Sequence, residues 1–390
     1  MLAISALGSL GSGVMWNGIA FVTKQDFGYS ELQSFALLLA TGLIYVVGAF
    51  AAGKITRAVE HRLSTRGVLG VIFLIQAAVS SLLVIPGTPW LLWLAACVGS
   101  ACAAIQWPII ESYVGGGRHG PGLRSALGWW NVTWTTAVPV SLILMAPLVD
   151  RDMARLAVVA LAPANLLCLG LLWSLPRRPG SHDHTATSDS VGREYPLLLR
   201  SARVLLPTSY LLVGALSPLM PYLLQELGVA ARLGTPITAI WMVARIAVLV
   251  LLWRSKFWHG RWGTLLVAGT LLVSGFSFAI AAPGVVILSI GLVAFGLGQG
   301  IVYYAGIYYA LAVGHSEVDA GGTHEGLIGV GYAVGPMAGI AAFVIADGRQ
   351  GAFLMGATVL VMVLLASVIA FGPYLTARAR RGAATRAPSQ

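Results

Sequence analysis

Charge is what this sequence has least of. Asp, Glu, Lys and Arg make up 10% of its 390 residues, against about 25% in an ordinary soluble domain. Hydrophobic residues make up 57%, more than a globule of this size can hide from water. A water-soluble enzyme or binding module is therefore excluded, and lipid is the expected solvent. Cysteine is nearly absent. Cys97, Cys102 and Cys168 all fall inside apolar runs, where they read as buried thiols with no disulfide. There is no Walker Lys-Ser/Thr loop, no HExxH and no GxSxG. That argues against an intramembrane hydrolase and against ATP-driven transport by this chain alone, and nothing calls for a cofactor. The N-terminus turns apolar at once, without a basic n-region, so its first run reads as a retained helix.

What the sequence does contain is a series of apolar runs of about 20 residues, the length a helix needs to cross hydrocarbon. The reading is an all-α integral membrane protein with about twelve transmembrane helices in two six-helix pseudo-repeats. Residues 1–175 form the first bundle, 176–203 a polar linker, 204–375 the second bundle and 376–390 a basic tail, expected to be disordered. The linker carries RRPGSHDHTATSDSVGREYP, rich in Ser, Thr, Asp and Gly. Basic residues are distributed unevenly. With both termini on the linker side, 18 of the 24 lysines and arginines share that side, five lie opposite, and Arg245 falls within a span. The positive-inside rule then places linker and termini in the cytoplasm of a plasma or inner membrane. The basic excess reflects topology and anionic lipid headgroups, not nucleic acid. Gly28 and Gly228 stand 200 residues apart at the mouths of the second and eighth spans, and basic loops beginning at Gly53 and Trp253 keep the same offset. Parallel repeats of six spans are an established transporter plan, with substrate held between the halves near the midplane.

Three local motifs carry a family resemblance. The loop after the second span has Gly53 and Ile55 where a G-x-L-x-D-R-x-G-R-R/K pattern expects them, but Arg57 stands at the acidic position. Glu111 and Arg118 show E-x6-R spacing at the end of the fourth span, and GLIGVGYAVGP in the eleventh is glycine-rich and ends in Pro. With the 6+6 organisation, the chain resembles the major facilitator superfamily. The resemblance implies a secondary transporter working by alternating access, with a small-molecule substrate, a lipid bilayer around it and a proton or ion as candidate coupling partner. It also implies that the first, fifth and tenth spans line the cavity.

Arg245, in the middle of IWMVARIAVLV, is the most informative residue. A charge at that depth costs from about 2.5 to more than 10 kcal/mol, so it must face a cavity or a partner. It reads either as a clamp for an anionic substrate group, since guanidinium is a rigid fork of donors, or as part of a buried ion pair. Trp241 lies four residues earlier, on the same helix face. Asn17, Asn131 and Gln299 are amides in cavity-lining spans and join the candidate site, whereas Gln76 reads as helix–helix glue. Trp134 and Tyr303 belong to aromatic clusters that could wall a ring or an alkyl group. Glu111 reads first as a structural partner of Arg118 or Arg124, second as a gate or proton relay. His324 and Glu325 are further gating or coupling candidates. Gly331, Gly335 and Gly339 form a small-xxx-small packing stripe. His182-Asp183-His184 is a weak metal pattern. An organic anion is the favoured substrate class; export of amphipathic compounds, and a non-transporting receptor or scaffold, are the alternatives.

Overall fold

A computed structural model describes residues 1–118, 120–180, 194–313 and 318–384. His182, Asp183 and His184 lie outside the described residues. Among the described residues there is no strand, and twelve helices are long and apolar enough to cross a membrane. The first six are α1 (Leu2–Phe27), α2 (Glu31–Val59), α3 (Thr65–Val84), α4 (Pro89–Gly115), α5 (Pro121–Val149) and α6 (Arg155–Ser174). The second six are α7 (Tyr195–Glu226), α8 (Ala231–Arg254), α9 (Trp262–Ala281), α10 (Val285–Ala310), α11 (Gly321–Phe343) and α12 (Gly348–Gly372).

The helix ends follow from local chemistry. Gly28 and Gly228 take φ of 63° and 68°, a left-handed turn that glycine adopts without penalty. Each closes the helix before it, so the repeat offset marks equivalent corners. Ser30 and Gln33 form a capping box that opens α2. Ser64 Oγ accepts from Gly67 N to open α3, and Pro89 occupies the first turn of α4.

Two boundaries differ from the sequence reading. α7 begins at Tyr195, inside the stretch assigned to the linker. Its first turns bury Leu198, Leu199 and Ala202 while Arg200 and Arg203 stay exposed. This is an amphipathic extension, which a search for uniformly apolar runs passes over. The last helix runs on to Ala384, so much of the basic tail expected to be disordered is helical.

The largest exposed apolar side chains belong to lipid-facing surfaces, with Val368 at 73% on α12 and Trp173 at 84% on α6. The inner helices meet along a seam between the halves. α2 and α11 run together over most of their length. At the end away from the linker the Phe35 and Phe343 rings are 5.5 Å apart. In the middle, a Cβ on Gly42 would lie 2.6 Å from the Tyr332 carbonyl oxygen, so only glycine lets the helices this close. Towards the linker end, Gly326 packs on the Phe50 ring. α5 and α8 close the other flank, where Trp129 meets Trp253 edge-on at 5.1 Å. At the far end, Lys24 Nζ donates to the Pro221 carbonyl at 2.7 Å, and the Tyr222 hydroxyl donates to the Tyr29 carbonyl at 2.7 Å. Both ends of the seam are thus tied between the halves.

Candidate functional site

Between the halves lies a cavity of about 60 Å³. Ser12, Trp16, Asn17, Tyr45, Trp107, Trp130, Trp134 and Val138 line it from the first half. Tyr210, Trp241, Arg245, Tyr303, Glu325, Ile328 and Tyr332 line it from the second. The wall is mainly aromatic, with one cation and one carboxylate.

Arg245 is 5% exposed. Its guanidinium carbon stands 4.5 Å from the Trp134 ring centroid and 4.6 Å from that of Tyr303. Trp134 is on α5 and Tyr303 on α10, so the cation is held between rings from opposite halves. Arg245 Nε and Nη2 are buried and have no hydrogen-bond partner. Two cation–π contacts offset roughly 2 kcal/mol each when desolvated. Burying a guanidinium costs several kcal/mol and leaves the unmade donor bonds on top. The rings orient the charge but do not satisfy it.

The remaining sequence candidates divide into three groups. Asn17 lines the cavity, and its Oδ1 accepts from Ser217 Oγ at 3.3 Å across the halves. Trp241 lines it and meets Phe295 edge-on at 5.7 Å. Asn131 and Gln299 lie behind the wall, both fully buried. Asn131 Oδ1 accepts from Trp134 Nε1 at 3.0 Å and so sets the angle of the ring over Arg245. Gln299 has no partner for either side-chain polar atom. Gln76 lines a second cavity inside the first half, with Gln106, Ser80, Ser100 and Asn165. That cavity shares Ser12, Trp16 and Trp107 with the central one.

Glu111, His324 and Glu325 come together: their ligand atoms lie within 4.8 Å of one another. Arg118 takes no part. Its Nη1 turns back to the Tyr113 and Val114 carbonyls at 3.1 and 2.7 Å, capping the end of α4. The E-x6-R spacing therefore reports a helix terminus and not an ion pair. Arg124 sits at the start of α5 and acts electrostatically on His259 in the loop between α8 and α9.

Sequence reasoning did not place Trp16, Tyr45, Tyr210 or Tyr332 in the site. Trp16 stacks on Tyr332 at 4.3 Å and meets Tyr45 edge-on at 5.3 Å. Its helix takes a π turn over Gly13–Gly18, a distortion frequent at functional sites. The available signal was Trp16-Asn17 flanked by two glycines in an otherwise apolar run.

The family model described as Major Facilitator Superfamily matches residues 1–339. The chain belongs to the major facilitator superfamily. Solved structures of similar fold include the nucleoside transporter NupG, at 13% identity and TM-score 0.66, covering 94% of this chain and 98% of that one. The human organic anion transporter MFSD10 follows at 15%, TM-score 0.62, with 95% and 96% covered. A POT family transporter in complex with a thioalcohol-conjugated peptide has 13%, TM-score 0.68 and 96% of each chain. At such identities the likeness concerns the fold. No curated protein sequence matches the chain significantly. As a major facilitator protein it is a multi-pass membrane protein of transporter fold.

Proposed function

We propose that this major facilitator protein is a secondary transporter that carries a small organic anion with an aromatic or apolar body, by alternating exposure of the central cavity. One observation carries the reading. Arg245 presents unpartnered guanidinium donors, buried, between aromatic rings supplied by both halves. A carboxylate or phosphate would supply the missing acceptors, and the bidentate fork suits either. Trp16, Trp130 and Tyr332 would hold the rest of the solute by ring contact. Because the ligand would touch both halves at once, its binding would favour their closure. Nucleosides, organic anions and peptides, named for the similar structures, share this mixed polar and apolar character.

The test is thermal stabilisation of the purified protein by matched pairs of probes, such as phenylphosphonate against benzyl alcohol and benzoate against benzamide. The anionic member should raise the melting temperature and its neutral mate should not. Equal stabilisation by both members, or by an amphipathic cation instead, would contradict the anionic reading and favour export of amphipathic compounds.

A further inference from the structure

The side cavity within the first half measures about 50 Å³, nearly the size of the central one. Its polar side chains converge from separate helices: Gln76 and Ser80 from α3, Ser100 and Gln106 from α4, Asn165 from α6. The three amides lie well inside their spans, where each is costly unless a partner meets it. No charged side chain is among the described residues that line the cavity. Glycines keep it open. A Cβ on Gly8 would lie 2.8 Å from Gln106 Nε2, while one on Gly99 would meet nothing within 4 Å.

The spare hydrogen-bonding capacity here is of one kind. Ser100 Oγ donates to the Thr41 carbonyl at 2.7 Å, and Asn165 Nδ2 donates to the Leu161 carbonyl at 2.9 Å. Those donors already serve the main chain. Gln106 is 2% exposed, and its Oε1 is buried without a partner. An orphaned acceptor at that depth is unfavourable until a donor reaches it. The pocket therefore suits an uncharged group that donates, an amide or a hydroxyl. An ion would find no opposite charge.

Position links this pocket to Arg245. Ser12, Trp16 and Trp107 belong to the walls of both cavities, and Trp16 stands in the π turn of α1. The guanidinium carbon of Arg245 lies 4.5 Å from the Trp134 ring centroid, and that ring lies 6.3 Å from the ring of Trp107. Two such steps match the reach of an aromatic ring carrying a short chain. We propose that the side pocket is a second subsite for the same solute, and that it takes an uncharged hydrogen-bond donor, an amide or a hydroxyl, at the end opposite the anionic group. The substrate class narrows to elongated solutes, with an acid group at Arg245, an apolar body along the aromatic wall and a neutral polar tail beyond Trp107. The inference rests on the reading of the central cavity as an anion site, so charge and tail are tested separately.

The probes are phenylphosphonates carrying one of three para tails of the same shape: carbamoylethyl, isopentyl or carboxyethyl. Titration calorimetry on the purified protein gives the affinities. The carbamoylethyl probe should bind about threefold to tenfold tighter than the isopentyl one, the worth of one neutral hydrogen bond, although the isopentyl tail is the more hydrophobic. The charged carboxyethyl probe should bind weakest. Gln106→Met keeps the side-chain length and removes the acceptor, so the preference for carbamoylethyl over isopentyl should vanish. Gly99→Val fills the pocket and should abolish the same preference, so a folding failure in one variant leaves the other as a test. The same tails on benzyl alcohol remove the anion. A carbamoylethyl preference kept there, with no gain from the phosphonate, would end the anion reading and leave the subsite standing. Three results would overturn the subsite: no carbamoylethyl preference in either series, which leaves the pocket to water; a preference that survives both variants, which puts the tail elsewhere; or a carboxyethyl tail bound as tightly as the carbamoylethyl one, which contradicts a neutral pocket.

Discussion

Arg245 concentrates the energetic argument at the scale of single residues. If its donors await an anion, Arg245→Lys keeps charge but loses the fork, and anion affinity should fall by about tenfold, near 1.4 kcal/mol. Arg245→Gln should lose more than about a hundredfold. Its melting temperature should hold or rise, because an uncompensated buried charge has been removed. A structural arginine predicts the reverse, with affinity kept and stability lost; calorimetry with phenylphosphonate, paired with a melting curve, separates the two. Asn131 acts one step back. Asn131→Ala frees the Trp134 ring by deleting a bond of 3.0 Å, typically worth about 1 kcal/mol, and should weaken the same probe several-fold. Gln76→Ala, altering the side cavity, should weaken it less. Equal losses in binding titrations would remove the distinction. Arg245, Trp134 and Tyr303 were legible in the sequence because a lone charge and long aromatics in apolar helices need an explanation. The Glu111–Glu325 pairing was not. The partners sit on helices of different halves, and the nearby arginines made a local ion pair the simpler reading.

Helices turn those residues into a machine with separable seams. A substitution at Gly42 strikes the contact between halves, since its Cβ would lie 2.6 Å from the Tyr332 oxygen of α11. Gly331 faces α7 within the second half, where its Cβ would meet Leu211 N at 2.6 Å. Gly42→Val should therefore spare folding and impair closure. Gly331→Val should cost stability itself, by about 1–3 kcal/mol as overpacking does. Thermal unfolding should show the loss for Gly331→Val and little for Gly42→Val; similar melting losses would contradict the division. The sequence showed the glycine stripe but not which neighbour each glycine meets, because a small residue carries no record of its partner. The π turn in α1 was hidden for a related reason: a one-residue insertion leaves no mark on the 3.6-residue pattern. Outside the membrane, burial and the nearby Arg124 and Lys256 hold His259 below the ordinary histidine value. The unfolded chain then binds the proton first, so stability is present above the ordinary value and is lost as pH falls through it towards the folded one. His259→Gln should flatten that acid-side loss in melting curves taken across the same pH range; an unchanged slope would contradict it.

At the scale of the whole molecule, composition and run length were enough for about twelve spans, while the fold type needed the polar break at the centre, the repeat offset and the family resemblance. The uneven basic residues predict an orientation with linker and termini in the cytoplasm. A membrane-impermeant maleimide added to intact cells should label Arg232→Cys and spare Lys256→Cys; the opposite pattern would invert the topology. The cavity needed the fold, since its wall draws on α1, α2, α4 and α5 of one half and α7, α8, α10 and α11 of the other. The proposed route takes an organic anion across the membrane by way of Arg245. The most direct measurement is uptake into proteoliposomes of the radiolabelled anion that most stabilises the purified protein, compared between the unsubstituted chain and Arg245→Gln at matched reconstitution. Uptake should be saturable and should fall more than about a hundredfold in the variant. Equal uptake by both proteins would contradict it.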